Sequence, residues 1–181
     1  AFMKKGKSTK KKLEPFEIGE LDQYLFGQGN HYEIYEKMGA HKVTYKGKEG
    51  VYFAVWAPNA RRVAVVGDFN GWDFEADYME RQEPVGIYTC FVPGVKEGDL
   101  YKFCIETQQG KRIFKADPFA NYAELRPGTA SRVTDISHLK WTDSAWMTKR
   151  ETWDHKKNPM SIYEVHLGSW MRHPGREDEG F

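Results

Sequence analysis

Between residues 43 and 115 the chain runs in short stretches where apolar and polar positions alternate. Val51, Phe53 and Val55 alternate with Tyr52, Ala54 and Trp56, which is the period of two of a β-strand. Pro58-Asn59 breaks the run as a turn, and Val63, Val65 and Gly67 then alternate with Ala64 and Val66 in a second strand. Val43 and Tyr45 predict a strand ahead of these, turning at Gly47-Lys48-Glu49-Gly50. Residues 86–92 and 100–106 predict a further pair, joined through Pro93-Gly94 and Gly98-Asp99. A strand at 112–115 follows the turn Gln108-Gln109-Gly110-Lys111, and a last one at 132–135 closes a long irregular segment. Short strands at this spacing, broken by Gly-rich turns, predict an all-β sandwich.

The flanks have a different rhythm. Residues 18–26 predict a short helical turn ended by Gly27, and Tyr32, Ile34, Tyr35 and Met38 are spaced more like a helix than a strand. Residues 138–158 are rich in Trp, Lys, Asp and Thr without strict periodicity and read as a linker. The expected organisation is therefore a disordered basic tail over 1–20, a short helical lead-in over 21–42, the sandwich over 43–136 and a linker over 137–158. A further apolar segment, 159–181, comes last.

Charge changes the picture only at the N-terminus. Lysines and arginines number 27 against 26 acids, but Lys4, Lys5, Lys7, Lys10, Lys11 and Lys12 all fall in the first twelve residues. Without those six, 21 bases face 26 acids, a poor match for nucleic acid. The lysine run has no apolar anchor, so it reads as a solvated tail rather than a nucleic-acid arm or a membrane tether. No apolar run approaches the ~20 residues of a membrane span and no signal-peptide pattern is present, so a cytoplasmic protein is expected. Cys90 and Cys104 lie in successive strands, symmetric about residue 97, so they are expected to face one another; in a reducing compartment they should be two buried thiols.

Catalytic chemistry is sparse. The six histidines are scattered, with no HxH or HxxxH pair and no cysteine nearby, so no metal or other cofactor is expected. No serine has a G-x-S-x-G context, and Gly67-Asp68-Phe69-Asn70-Gly71 lacks the Gly-Lys-Ser/Thr that would close a phosphate loop. That loop instead presents an amide and an indole, Asn70 and Trp72. A flat ring beside hydrogen-bonding groups suits a pyranose, whose CH-rich face lies on the ring while its hydroxyls seek polar partners. Two alternatives stand beside this one: Trp72 as a plug at the end of the sandwich, and Asn70 and Asp68 as Asx-type braces of the loop.

WAPNA (56–60), VAVVGDFNGW (63–72) and LYKFCIE (100–106) resemble the family-48 carbohydrate-binding module, an immunoglobulin-like glycogen- and starch-binding domain. Such modules precede branching and debranching enzymes and occur in the β-subunit of AMP-activated kinase. Tyr24-Leu25-Phe26 with 35–41 (YEKMGAH) resembles the lead-in of bacterial-type 1,4-α-glucan branching enzymes, and 160–170 (MSIYEVHLGSW) the first strand of their catalytic TIM barrel. The resemblance implies an α-glucan partner such as glycogen, starch or maltooligosaccharides, and a catalytic domain as a second partner. It also implies that Trp72 stacks on glucose and that Lys102, which points opposite to Tyr101 and Phe103, contacts hydroxyls; the alternative for Lys102 is an ordinary solvated lysine. Kinase-type modules carry a second Trp after that strand, where this chain has none in 107–111, and a Leu and an Asn where it has roughly Pro127 and Ser131. Retaining glycosyl transfer needs two carboxylates on middle strands of a barrel of about 250 residues. These 181 residues are thus expected to bind glucan without catalysing transfer. Trp141, Trp146 and Trp153, if exposed, would serve an interdomain contact. A free-standing regulatory module like the kinase β-subunit, or the front of a debranching enzyme, are the alternative readings.

Overall fold

The computed structural model describes residues 13–166, 170 and 175; the lysine run at 1–12, on which the expectation of disorder fell, lies outside the described residues. The chain divides after His138 into two units. The first is built on eight strands: β1 (Gly39–Tyr45), β2 (Lys48–Trp56), β3 (Arg62–Gly67), β4 (Glu80–Gln82), β5 (Ile87–Pro93), β6 (Leu100–Glu106), β7 (Arg112–Lys115) and β8 (Ser131–Arg132). They form two antiparallel sheets, ordered β1-β2-β5-β4 and β3-β6-β7, with β8 paired to β6. The chain passes from one sheet to the other between β2 and β3, between β3 and β4 and between β5 and β6, while β1-β2, β4-β5 and β6-β7 pair as sequential antiparallel neighbours.

The alternation read from the sequence sets what meets between the sheets. Val51, Phe53 and Val55 of β2 face Val63 and Val65 of β3 and Tyr101 and Phe103 of β6, all buried. Phe53 packs edge-on against Tyr101 at 5.1 Å between ring centres. Full burial of each such side chain contributes roughly 1.5–3 kcal/mol. Tyr101 carries a hydroxyl into this core and donates it to Asp117 at 2.6 Å; the Asp117 backbone N–H in turn donates to Ser131 Oγ at 2.8 Å. Burial pushes the Asp117 carboxyl above the usual carboxylate range, partly offset by the Tyr101 and Phe119 hydrogen bonds.

Several expectations need correction. Residues 13–20 are not tail: Ile18 is buried and Phe16 packs its ring against Tyr45 and Tyr52. Together with Ile34 and Met38 they cover the outer face of the first sheet, where Tyr52, Ala54 and Ile87 are also buried. β2 is therefore buried on both faces, which is why its apolar run is nearly continuous. The helix runs Glu20–Gly27 (α1), and a 3₁₀ turn at Ile34–Glu36 replaces the expected helical stretch. β1 begins at Gly39, inside the expected lead-in, and β4 was not anticipated. The last strand has only two residues, Ser131–Arg132.

Cys90 and Cys104 do not face one another. Cys90 pairs with Phe53 in the first sheet and Cys104 with Ala64 in the second, because the 94–99 connection crosses between sheets instead of closing a hairpin. Both thiols are free, and Cys104 is buried while Cys90 is only partly covered.

In the second unit the expected linker contains a helix, α2 (Ser144–Glu151), with no buried residue. Trp141 is 81% exposed and Trp146 is also exposed, while Lys149 lies over the Trp153 ring at 5.2 Å. Residues 160–166, expected as a barrel strand, have no regular secondary structure, and 167–169 lie outside the described residues.

Candidate functional site

β3 ends at Gly67 because the chain must pass close to its neighbour there: a Cβ on Gly67 would collide with the Leu100 carbonyl oxygen and the Phe69 ring. Beyond it Asp68–Asn70 makes a 3₁₀ turn, and Gly71 and Trp72 follow with φ of 64° and 63°. A left-handed tryptophan costs about 1–2 kcal/mol, so something must hold it. Asn70 is the brace. Its Oδ1 accepts the Gly67 N–H at 2.9 Å, and its Nδ2 donates to the Val65 carbonyl at 3.0 Å and to Asp77 Oδ2 at 2.8 Å. Of the two roles open for Asn70, its amide is committed to the loop. Asp68 is committed as well, accepting the Leu100 N–H at 2.9 Å and the Trp72 indole N–H at 3.2 Å.

The loop so held sorts its two rings. Phe69 turns inward and stacks on Phe53 with ring centres 5.8 Å apart. Trp72 stays outside at 37% exposure and is not a core plug. The Asp68–Leu100 bond and the β3–β6 register, which sets Gly67 opposite Tyr101 and Val66 opposite Lys102, plant this loop at the start of β6. Lys102 points away from the buried Tyr101 and Phe103, onto the outer face of the second sheet, and its Nζ donates to Thr129 Oγ1 at 2.6 Å. Thr129 belongs to a loop pinned where Glu124 accepts the Ala130 N–H at 3.0 Å.

Sequence reasoning missed a third residue on this face. Phe114 of β7 stands opposite Cys104, on the same side of the sheet as Lys102, and is half exposed. The signal was an apolar residue at an outward position: Ile113 pairs with Ile105 toward the core, so Phe114 must point out. Ser131, in the region where kinase-type modules carry a polar contact, is buried and occupied by the Asp117 amide.

The rest of the outer face carries rings capped by paired arginines. Phe74 covers Ala64, Val66 and Cys104. Arg112 lies 3.9 Å above the Phe74 ring and Arg62 4.8 Å above the Tyr78 ring. Arg62 donates to Glu106 at 2.7 Å, and that hydrogen bond holds the Glu106 carboxyl below the usual carboxylate range. Arg112 bonds Glu75 at 2.6 Å, and Tyr78 donates to the same carboxylate. Trp72, Lys102 and Phe114 lie beside this cluster, whose Tyr78 ring is itself 37% exposed. Among the described residues no three His, Cys, Asp or Glu side chains converge as metal ligands, and no helix is long and apolar enough to cross a membrane.

The sequence that folds into these two sheets matches the family profile described as carbohydrate-binding module 48, isoamylase N-terminal domain, over residues 37–120. Residues 37–120 are a family-48 carbohydrate-binding module. The module and its flanks are 57% identical over 164 residues to a 1,4-alpha-glucan branching enzyme of Butyrivibrio fibrisolvens, covering 91% of this chain and 26% of that protein. A branching enzyme of Protochlamydia amoebophila is 52% identical over 155 residues, covering 86% of this chain and 21% of that protein. The chain thus spans about a quarter of the length of the curated relatives it matches, in their N-terminal part. A solved pullulanase of Klebsiella pneumoniae complexed with maltotriose is 24% identical, with a TM-score of 0.44, covering 54% of this chain and 9% of that one.

Proposed function

We propose that the module binds α-glucan chains on the outer face of its second sheet, as the N-terminal part of a glycogen branching enzyme. The observation that carries this is Trp72: an indole held outside the core, in a left-handed conformation, by a loop whose amide and carboxylate groups are committed to holding it. Its ring offers a flat surface to one pyranose. Lys102 and Thr129, already joined, offer a donor and an acceptor to neighbouring hydroxyls, and Phe114 supplies a second apolar surface along the same face. Asn70 acts through Trp72, as its positioning residue. The reading is supported by the module's family and by relatives named as branching enzymes.

In the full-length enzyme the reaction would move an α-1,4-linked segment onto a 6-hydroxyl, and the module would hold the polymer near a catalytic domain beyond these residues. The two free thiols fit a reducing compartment, which we infer is the cytoplasm. Affinity electrophoresis in gels containing glycogen tests the binding. The 181-residue chain should be retarded, Trp72→Ala should be retarded far less, and Lys102→Ala and Phe114→Ala should fall between. Equal retardation of parent and Trp72→Ala would remove this face from the proposal.

A further inference from the structure

A second concave surface lies away from Trp72, along the free edge of β1, the outermost strand of the first sheet. It is a groove of about 520 Å³ whose lining includes Tyr35, His41, Phe119, Asn121 and Asp135. That volume falls within the ~300–1,000 Å³ of small-ligand sites. Its polar groups are available. His41 Nε2 donates to the Met38 carbonyl at 2.9 Å, which leaves Nδ1 as the ring's second polar atom. The Asn121 amide and the Tyr35 hydroxyl have no hydrogen-bond partner among the described residues, and the Tyr35 ring is 60% exposed.

The charges select the ligand. Glu36 and Asp135 contribute carboxylates, and Lys42, the one lysine or arginine in the lining, already pairs with Glu97 at 3.2 Å. An anionic sugar phosphate or nucleotide meets no spare lysine or arginine. A neutral polyhydroxyl compound meets a ring, an amide, a ring nitrogen and carboxylate acceptors. An added peptide strand would use the open edge of β1 and is the competing occupant, which the experiment below separates from a sugar.

We propose that this groove is a second oligosaccharide site, for neutral α-glucan, which rests on the reading that the module binds such chains. The two sites occupy different sheets, so a polymer that reaches both gains avidity that neither site supplies alone.

Amide chemical-shift mapping of the 181-residue chain with maltoheptaose tests it. Two separate sets of signals should move, one around Trp72, Lys102 and Phe114 and one around Tyr35, His41 and Asn121. Tyr35→Ala should erase the second set and keep the first, and should weaken apparent affinity for glycogen about tenfold or more. Asn121→Ala, at an exposed position, gives the same reading should Tyr35→Ala fail to fold. Groove signals that stay still while the Trp72 set moves overturn the second site and leave the first. Movement of the groove alone overturns the proposed Trp72 face and supports the groove. Silence at both overturns both. Equal groove shifts from an unrelated extended heptapeptide would identify strand addition on β1, and would also overturn it.

Discussion

Asn70 and Trp72 are two residues apart and divide the work of one loop. Asn70 holds three backbone and side-chain partners; Trp72 is held at the surface. Their substitutions should therefore separate stability from binding. Asn70→Ala should cost about 2–3 kcal/mol, since it leaves the Gly67 N–H and the Val65 carbonyl short of a partner, and thermal melting should show the loss directly. Trp72→Ala should shift stability by less than about 1 kcal/mol, because the ring it removes lies outside the core and the retained Cβ leaves the cost of the left-handed backbone unchanged. Its effect should appear in glucan titrations followed by indole fluorescence, where the signal change is lost. A melting point lowered as far as for Asn70→Ala would mean that the ring is structural. One ring and one lysine, with Phe114 beside them, suit a dissociation constant on the order of 1 mM, about −4 kcal/mol.

At the scale of elements, the unforeseen feature is the N-terminal segment that covers the first sheet. α1 and the 3₁₀ turn are tied by Asp22, which accepts from Lys37 at 2.6 Å, His31 at 2.8 Å and the Gly19 N–H at 2.7 Å. Burial works to raise the Asp22 carboxyl, and the hydrogen bonds from Lys37, His31 and Gly19 together outweigh it, leaving it below the usual carboxylate range. A carboxyl lowered on folding stabilises the fold above its unfolded pKa, and that stabilisation is lost as pH falls through the folded value. Between pH 6 and pH 3 the melting temperature of the parent should thus fall more steeply than that of Asp22→Asn. Parallel curves would show that Asp22 does not tie the segment down. The strands β1, β2, β3, β5, β6 and β7 were legible because each holds at least four residues bounded by turn signals. β4 has three, too few for a period to show, and β8 has two, shorter than the strand expected at 132–135.

For the whole molecule, the division after His138 makes a simple prediction. Lys140, Lys149 and Arg150 are exposed and lie outside the sandwich, so trypsin should cut among them early and leave a resistant product that still contains Trp72. If glucan binding belongs to the first unit, that product should be retarded by glycogen as strongly as the parent. Weaker retardation would place part of the binding surface in residues 139–181.

The period-two pattern and the turns between strands were sufficient for a β-sandwich, because alternation across a pleated strand leaves one face to bury whatever its partner is. The loop motif ending in Trp72 was likewise readable, since its glycines, amide and indole are contiguous in the chain. What lay beyond the sequence is whatever depends on which sheet a strand joins. Cys90 and Cys104 look like hairpin partners until the 94–99 connection carries the chain across the sandwich. Phe114 and Lys102 are twelve positions apart, and only the β6–β7 register brings them onto one face. Asn70 has the composition of a sugar contact and the environment of a brace; its partners at Val65 and Asp77 decided between them. Phe16 and Ile18 follow a run of lysines and read as tail, but the outer face of β2 is apolar and must be covered, and these are the residues that cover it.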